Sequence, residues 1–227
     1  MNLLHKSLAE FIGTFAIVFA GCGGLMVSER FPGSISPMAI PVIFGLTVSA
    51  MVYAVGHISG AHFNPAVTVG FSVARHFPAK NVLAYCSAQI LGGFAAISLL
   101  FFILPSGQSF GATLPVVNLT QAIIWEILLT FFLMFVIISV ATDTRAVGIM
   151  AGVAIGATVA LCSFVGGPVT GASMNPARSL APALFQHQIH SLWIYLIAPF
   201  VGSISGALVY EIIRCENTKN KNPEGCC

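Results

Sequence analysis

The feature that most constrains this chain is a helix start placed at membrane depth, and it occurs twice. In Gly167–Leu184, GPVTGASMNPARSLAPAL, the centre Asn175-Pro176-Ala177 has the chemistry of a helix N-terminus. Asn is a favoured N-cap and Pro is favoured at the first helical position. A long apolar run precedes it. His57–Thr68, HISGAHFNPAVT, carries the same signal as Asn64-Pro65-Ala66, again after an apolar run. Helices that begin inside hydrocarbon leave irregular backbone, which is tolerable only where it is buried in protein or lines a wet cavity. The pair points to a pore.

A chain that is 57% hydrophobic and 7% charged is not a soluble domain. Crossing a bilayer takes about 20 apolar residues. Six stretches qualify: roughly Leu8–Val27, Met38–His57, Val82–Leu104, Thr120–Ala141, Val147–Gly166 and Ser191–Ile213. The expected fold class is an all-α membrane protein with six transmembrane helices plus two re-entrant half-helices. Residues 1–227 form one channel domain, with repeats over roughly 5–104 and 120–214 and a polar tail over 215–227. Lys6 before the first stretch resembles a signal-peptide start, but Glu10 within it and five spans behind it argue for a retained helix.

The halves are copies. Shifted by 111 residues, Gly45, Thr47, Val48, Gly60, Ala61, Asn64, Pro65 and Ala66 fall on the same residue types at Gly156, Thr158, Val159, Gly171, Ala172, Asn175, Pro176 and Ala177. Glu10-x-x-x-Thr14-Phe15 recurs as Glu126-x-x-x-Thr130-Phe131. Each copy holds three spans, so the second enters the membrane from the opposite face, an inverted repeat. The segments from Asn64 to about His76 and from Asn175 to about Phe185 then cover about half a bilayer each. They enter from opposite faces and meet at the midplane. Glycines spaced by four, Gly148-Gly152-Gly156 and Gly202-Gly206, predict close helix crossings.

Orientation follows from the cations. With the amino terminus inside, inner segments hold Lys6, Arg75, Lys80, Arg145, Arg214, Lys219 and Lys221, and outer segments hold Arg30 and Arg178. This satisfies the positive-inside tendency, with both termini cytoplasmic. The net charge of +2 therefore speaks of orientation and not of nucleic acid. Cys22, Cys86 and Cys162 fall within spans at unrelated spacing, and Cys226-Cys227 end the chain, so no disulfide framework is expected. No metal-ligand spacing, nucleophile-base pair or cofactor motif is present, which argues against an enzyme.

The chemistry lies at the doubled helix starts. An N-cap Asn spends its side-chain oxygen on its own helix and keeps its amide NH2 for other acceptors. Asn64 and Asn175 therefore bring donors to one point, where two positive helix ends also converge. A water there offers its oxygen to the amides, which opposes proton hopping and repels cations. Before each cap, Ser59–His62 and Thr170–Ser173 read as extended, leaving the carbonyls of Gly60, Ala61, His62, Gly171 and Ala172 as acceptor ladders. Arg178 lies three residues after Asn175, on the same helix face, where the first repeat has Val67. A charge at that depth is costly, and its expected task is to donate to solutes and exclude cations. Glu10 and Glu126 are either proton-coupling groups or acceptors for unpaired N–H groups of the re-entrant loops; their equivalent repeat positions favour the second.

These residues resemble the aquaporin (major intrinsic protein) family over essentially the whole chain from Glu10 to Tyr210, and the doubled Asn-Pro-Ala with a trailing Arg is highly specific. The resemblance implies a homotetramer with one pore per subunit. The wording around both motifs and Trp193-Ile194-Tyr195-Leu196 is most similar to the nodulin-like, aquaglyceroporin-type branch and its bacterial relatives, so a bacterial inner membrane is the expected location. That branch is associated with water, glycerol, urea and neutral metalloid hydroxides such as boric and arsenous acid. Carried over by spacing, the family's aromatic/arginine filter falls on Phe44, Ser163, Ala172 and Arg178. Water-specific members carry a bulky His where Ser163 stands, and glycerol facilitators usually carry Asp where Ser179 stands.

The reading is a passive channel for water and small uncharged solutes that excludes protons and ions. Its alternatives are a strictly water-selective channel, a secondary transporter for a small neutral solute, and a structural membrane protein with a closed pore.

Overall fold

The computed structural model describes residues 2–104, 109–143, 146 and 148–214. Arg145, Lys219, Lys221, the 215–227 tail and Cys226-Cys227 lie outside the described residues. Eight α-helices make up the described chain: α1 (Leu3–Arg30), α2 (Ala39–Ser59), α3 (Pro65–Val73), α4 (Val82–Ile103), α5 (Leu119–Thr142), α6 (Ala151–Thr170), α7 (Pro176–Phe185) and α8 (Leu192–Ile213). Short 3₁₀ turns, Ala79–Asn81 and Gly148–Met150, precede α4 and α6. Six of the helices are long and apolar enough to cross a membrane, and α3 and α7 are the short ones. Large apolar side chains such as Leu83, Phe102, Leu161 and Ile212 stand on the outside. A soluble domain would bury many of them; in lipid they need no cover.

Capping residues set the helix boundaries. Asn2 accepts from His5 N at 3.1 Å to start α1, and Asn118 accepts from Gln121 N at 2.9 Å to start α5. The second and fifth spans run further than the sequence reading placed them. They reach Ser59 and Thr170 instead of His57 and Gly166, and α6 passes through Pro168 in its last turn. Apart from Pro168, which has no N–H, each residue kept helical keeps a backbone hydrogen bond, which hydrocarbon makes expensive to forgo. Tyrosine hydroxyls also take up carbonyls at both ends: Tyr85 donates to Ser59 O at 2.8 Å and Tyr195 to Thr170 O at 2.7 Å. The non-helical links before the short helices therefore shrink to 60–64 and 171–175. Gly60 (φ 93°) and Gly171 (φ 83°) end α2 and α6 in the left-handed conformation that glycine adopts without a Cβ clash.

Packing follows the duplication. α1 packs on α4 as α5 packs on α8; α1 meets α2 as α5 meets α6; and α2 crosses α6, its own counterpart. The short helices are exchanged, since α3 lies on α8 and α7 on α4. At the α2–α6 crossing, Gly45 and Gly156 let the backbones touch; a little further along, Gly152 takes the ring of Tyr53. Gly148 is no part of this ladder. It sits in the 3₁₀ turn ahead of α6, and a Cβ there would find nothing nearer than 4.0 Å.

Candidate functional site

The N-termini of α3 and α7 meet, and each capping Asn serves both halves. Asn64 Oδ1 accepts from Ala66 N at 2.9 Å, while its Nδ2 donates across the junction to Met174 O at 2.7 Å. Asn175 Oδ1 accepts from Ala177 N at 3.0 Å, while its Nδ2 donates to Phe63 O at 2.9 Å. One hydrogen of each amide is thus engaged by a carbonyl of the other half. Each amide has two, so one remains.

The links before the caps are locally strained. Ala61 and Phe63 have φ of 52°, and Ala172 and Met174 have φ of 44° and 53°. Left-handed non-glycine residues cost on the order of 1–3 kcal/mol each and persist only when the surroundings over-determine them. Two buried carboxylates do so. Glu10 accepts from His62 N at 3.0 Å, Phe63 N at 2.6 Å and Gln89 Nε2 at 2.7 Å. Glu126 accepts from Ser173 N and Met174 N, both at 2.9 Å, and from Thr170 Oγ1 at 2.7 Å. Their repeated geometry places them behind the loops as acceptors. Among the described residues, no hydrogen bond uses the carbonyls of Gly60, Ala61, His62, Gly171 or Ala172.

Three cavities lie in series. A narrow central one of about 60 Å³ is lined by both Asn residues and by apolar side chains including Ile17, Val48, Leu133 and Val159. A wide vestibule of about 490 Å³ adjoins it on the Arg178 side, and one of about 440 Å³ on the His76 side. The four residues that line both the central cavity and the first vestibule are Phe44, Ser163, Ala172 and Arg178. At the other end the shared residue is His62, held among Phe71, Phe77 and Tyr85 with its Nδ1 3.2 Å from Thr68 Oγ1. His57 lines none of the three cavities, and His187 and His190 are exposed.

Arg178 is 4% exposed. It belongs to neither ion pair formed by the described residues, His76–Glu211 and Arg214–Glu211. Its Nη1 donates to Gly111 O at 2.6 Å, and the guanidinium carbon lies 5.2 Å from the centre of the Phe44 ring. That leaves further N–H donors of the fork for other acceptors. Sequence reasoning missed Gly111, because a backbone carbonyl carries no residue-type signature. It also missed Gln89, which donates to Glu10 and to Thr68 Oγ1.

Six apolar helices around two half-helices that meet tip to tip define a multi-pass membrane protein of the aquaporin fold. The chain matches the family described as Major intrinsic protein over residues 1–210, and it belongs to that family. It is 50% identical over 214 residues to Nodulin-26 of Glycine max, covering 93% of this chain and 78% of that one. It is 46% identical over 215 residues to Aquaporin NIP1-1 of Oryza sativa subsp. japonica, covering 94% and 76%. Among solved structures, the aquaglyceroporin from Plasmodium falciparum superposes with a TM-score of 0.83 at 25% identity, covering 93% of this chain and 97% of that one.

Proposed function

We propose that this protein is a passive, energy-independent channel for water and small uncharged solutes, glycerol and urea among them and neutral metalloid hydroxides as further candidates, that excludes protons and ions. The observation that carries the filter assignment is that Phe44, Ser163, Ala172 and Arg178 alone border both the central cavity and its vestibule. That ring has one aromatic wall, one fixed cation, and two small residues where bulk would narrow it. A polyol or trihydroxy acid passing through has donors from Arg178, a hydroxyl at Ser163, free carbonyls at Gly171 and Ala172, and an apolar face on Phe44. At the centre, Asn64 and Asn175 each keep one N–H for the passing molecule. The helix N-termini set a positive potential there against cations.

The protein catalyses no reaction and needs no cofactor in this reading. It works as a homotetramer, one pore per subunit, with 1–227 as one domain built from an inverted repeat. Both termini face the cytoplasm of a cell membrane, with a bacterial inner membrane as the expected setting, although the relatives above are plant proteins. A transporter would need a coupling group. Glu10 and Glu126 are poor candidates because their oxygens are taken up by backbone N–H donors. Stopped-flow measurements of water, glycerol and arsenous acid flux in proteoliposomes test the proposal. Flux above protein-free vesicles and independent of proton or sodium gradients is expected. Gradient-driven solute flux, or none, contradicts it.

A further inference from the structure

The segment 109–118 crosses the Arg178-side vestibule, and its attachments lead to both halves of the chain. Ser109 is held by the Glu29 carboxylate through its N–H at 3.0 Å and through its hydroxyl. Val116 N donates to Val169 O at 2.9 Å. Between them, two attachments fall on adjacent residues of α7: Gly111 O takes the guanidinium of Arg178, and Thr113 Oγ1 lies 2.8 Å from Ser179 Oγ. Ser179 Oγ is in turn 2.5 Å from Ser173 Oγ, and Ser173 Oγ donates to Asn175 O at 3.0 Å. Thr113, Ser179 and Ser173 are all buried, at 3%, 0% and 4% exposure.

A hydroxyl has one proton and two lone pairs. Because Ser173 donates to Asn175 O, Ser179 must donate to Ser173, and Thr113 must donate to Ser179. The chain Thr113 → Ser179 → Ser173 → Asn175 therefore has one direction and no spare proton, and it runs from the loop to the cap of the helix that bears Arg178. Thr113 is also packed against Gly171, where a Cβ would come within 3.1 Å of its Cα. Gly111 (φ 67°) sits against Cys22 of α1, with 3.0 Å between a built Cβ and Cys22 Cβ, so the carbonyl that takes Arg178 has little freedom of its own.

We infer that Thr113 and Ser179 are positioning residues for the channel's selectivity. Their hydroxyl chain locks the 109–118 segment to α7, so that Gly111 O and the Arg178 guanidinium meet at one fixed height in the constriction. They touch no permeant themselves. The inference rests on the reading of Arg178 as a filter residue. Freed from the chain, the loop and the arginine shift together, and what changes is the ratio between solutes of different size, not the existence of the pore.

The test compares Thr113→Val, Ser179→Ala and Thr113→Ser with wild type in proteoliposomes, reading the ratio of glycerol to water permeability. Thr113→Val and Ser179→Ala should each shift that ratio by about fivefold, the factor that one hydrogen bond's net free energy supports. Their combination should shift it no further, and Thr113→Ser should restore the wild-type ratio. An unchanged ratio in folded Thr113→Val or Ser179→Ala, or an equal shift in Thr113→Ser, overturns the inference. If Thr113→Val does not fold, Ser179→Ala carries the same decision. An Arg178→Val control separates the two readings. If it leaves the ratio unchanged, the filter assignment itself falls; if it moves the ratio and the hydroxyl variants do not, only the positioning role falls.

Discussion

Gly45 and Gly156 face each other where α2 crosses α6, and a Cβ built on either lies 2.4 Å from the other's carbonyl oxygen. The two positions are related by the same 111-residue shift that relates the helix caps, so the crossing is a contact of one sequence position with its own copy. Gly156→Ala must push the helices apart at this point and should destabilise by about 1–3 kcal/mol, the common cost of overpacking. Gly148→Ala, with open space at its Cβ, should stay within roughly 0.5 kcal/mol of wild type. Thermal unfolding of the two variants in detergent checks this, and equal melting temperatures would refute the close crossing.

Glu126→Ala should be among the most damaging single changes outside the constriction. It leaves the N–H groups of Ser173 and Met174 without their acceptor, and each buried orphan costs about 1–3 kcal/mol. Removal of Glu10 should act the same way on His62 and Phe63. The yield of monodisperse protein and its unfolding temperature measure the loss. A variant as stable as wild type would show that the strained links are held by something else.

Ser163→His should abolish glycerol or arsenous acid flux while water flux survives. An imidazole at this position narrows the one ring that separates the vestibule from the central cavity. Stopped-flow light scattering distinguishes the cases, and solute flux undiminished in the variant removes Ser163 from the filter.

Arg178→Val combined with Asn175→Asp should admit protons or monovalent cations. The first change takes away the fixed positive charge, and the second sets a negative charge against the convergent helix ends. Dye-reported proton and sodium leak in liposomes is the measurement; no leak through folded protein contradicts the electrostatic account.

A cysteine at Ser34 should react with a membrane-impermeant reagent added outside, and one at Lys80 only after the membrane is opened. Ser34 and Lys80 are both exposed, in the links that precede α2 and α4. The reverse pattern would invert the assigned orientation.

What was legible in the sequence was whatever depended on side-chain type at a fixed spacing. Asn-Pro at membrane depth announces a helix start, and its repetition announces a partner. Equivalent acids at Glu10 and Glu126 suggest a shared job behind the loops. Phe44, Ser163, Ala172 and Arg178 were carried over from the family's filter by their distance from the motifs, and all four line both the central cavity and the vestibule. What stayed hidden was carried by backbone atoms and by ordinary residues. The acceptors of the Asn amides are the carbonyls of Phe63 and Met174, which any residue could supply. Thr113 lies in a loop with no pattern. The helix ends at Ser59 and Thr170 were misplaced because Gly56, Gly167 and Pro168 read as breakers in water, while lipid makes a broken hydrogen bond the worse choice.

The exchange of half-helices between the two copies has a consequence for the order of manufacture. α3 rests on α8, the last helix to be made, and the amide of Asn64 finds its acceptor at Met174. α8 begins roughly 120 residues after α3 ends, on the order of ten seconds of synthesis at ordinary ribosome speeds. Throughout that interval Glu10 and Gln89 can hold α3 and its link from one side, but the seat on α8 and the acceptor at Met174 do not yet exist. The first half of the chain must wait, threaded but unfinished, until the end of the message supplies the surface on which it settles.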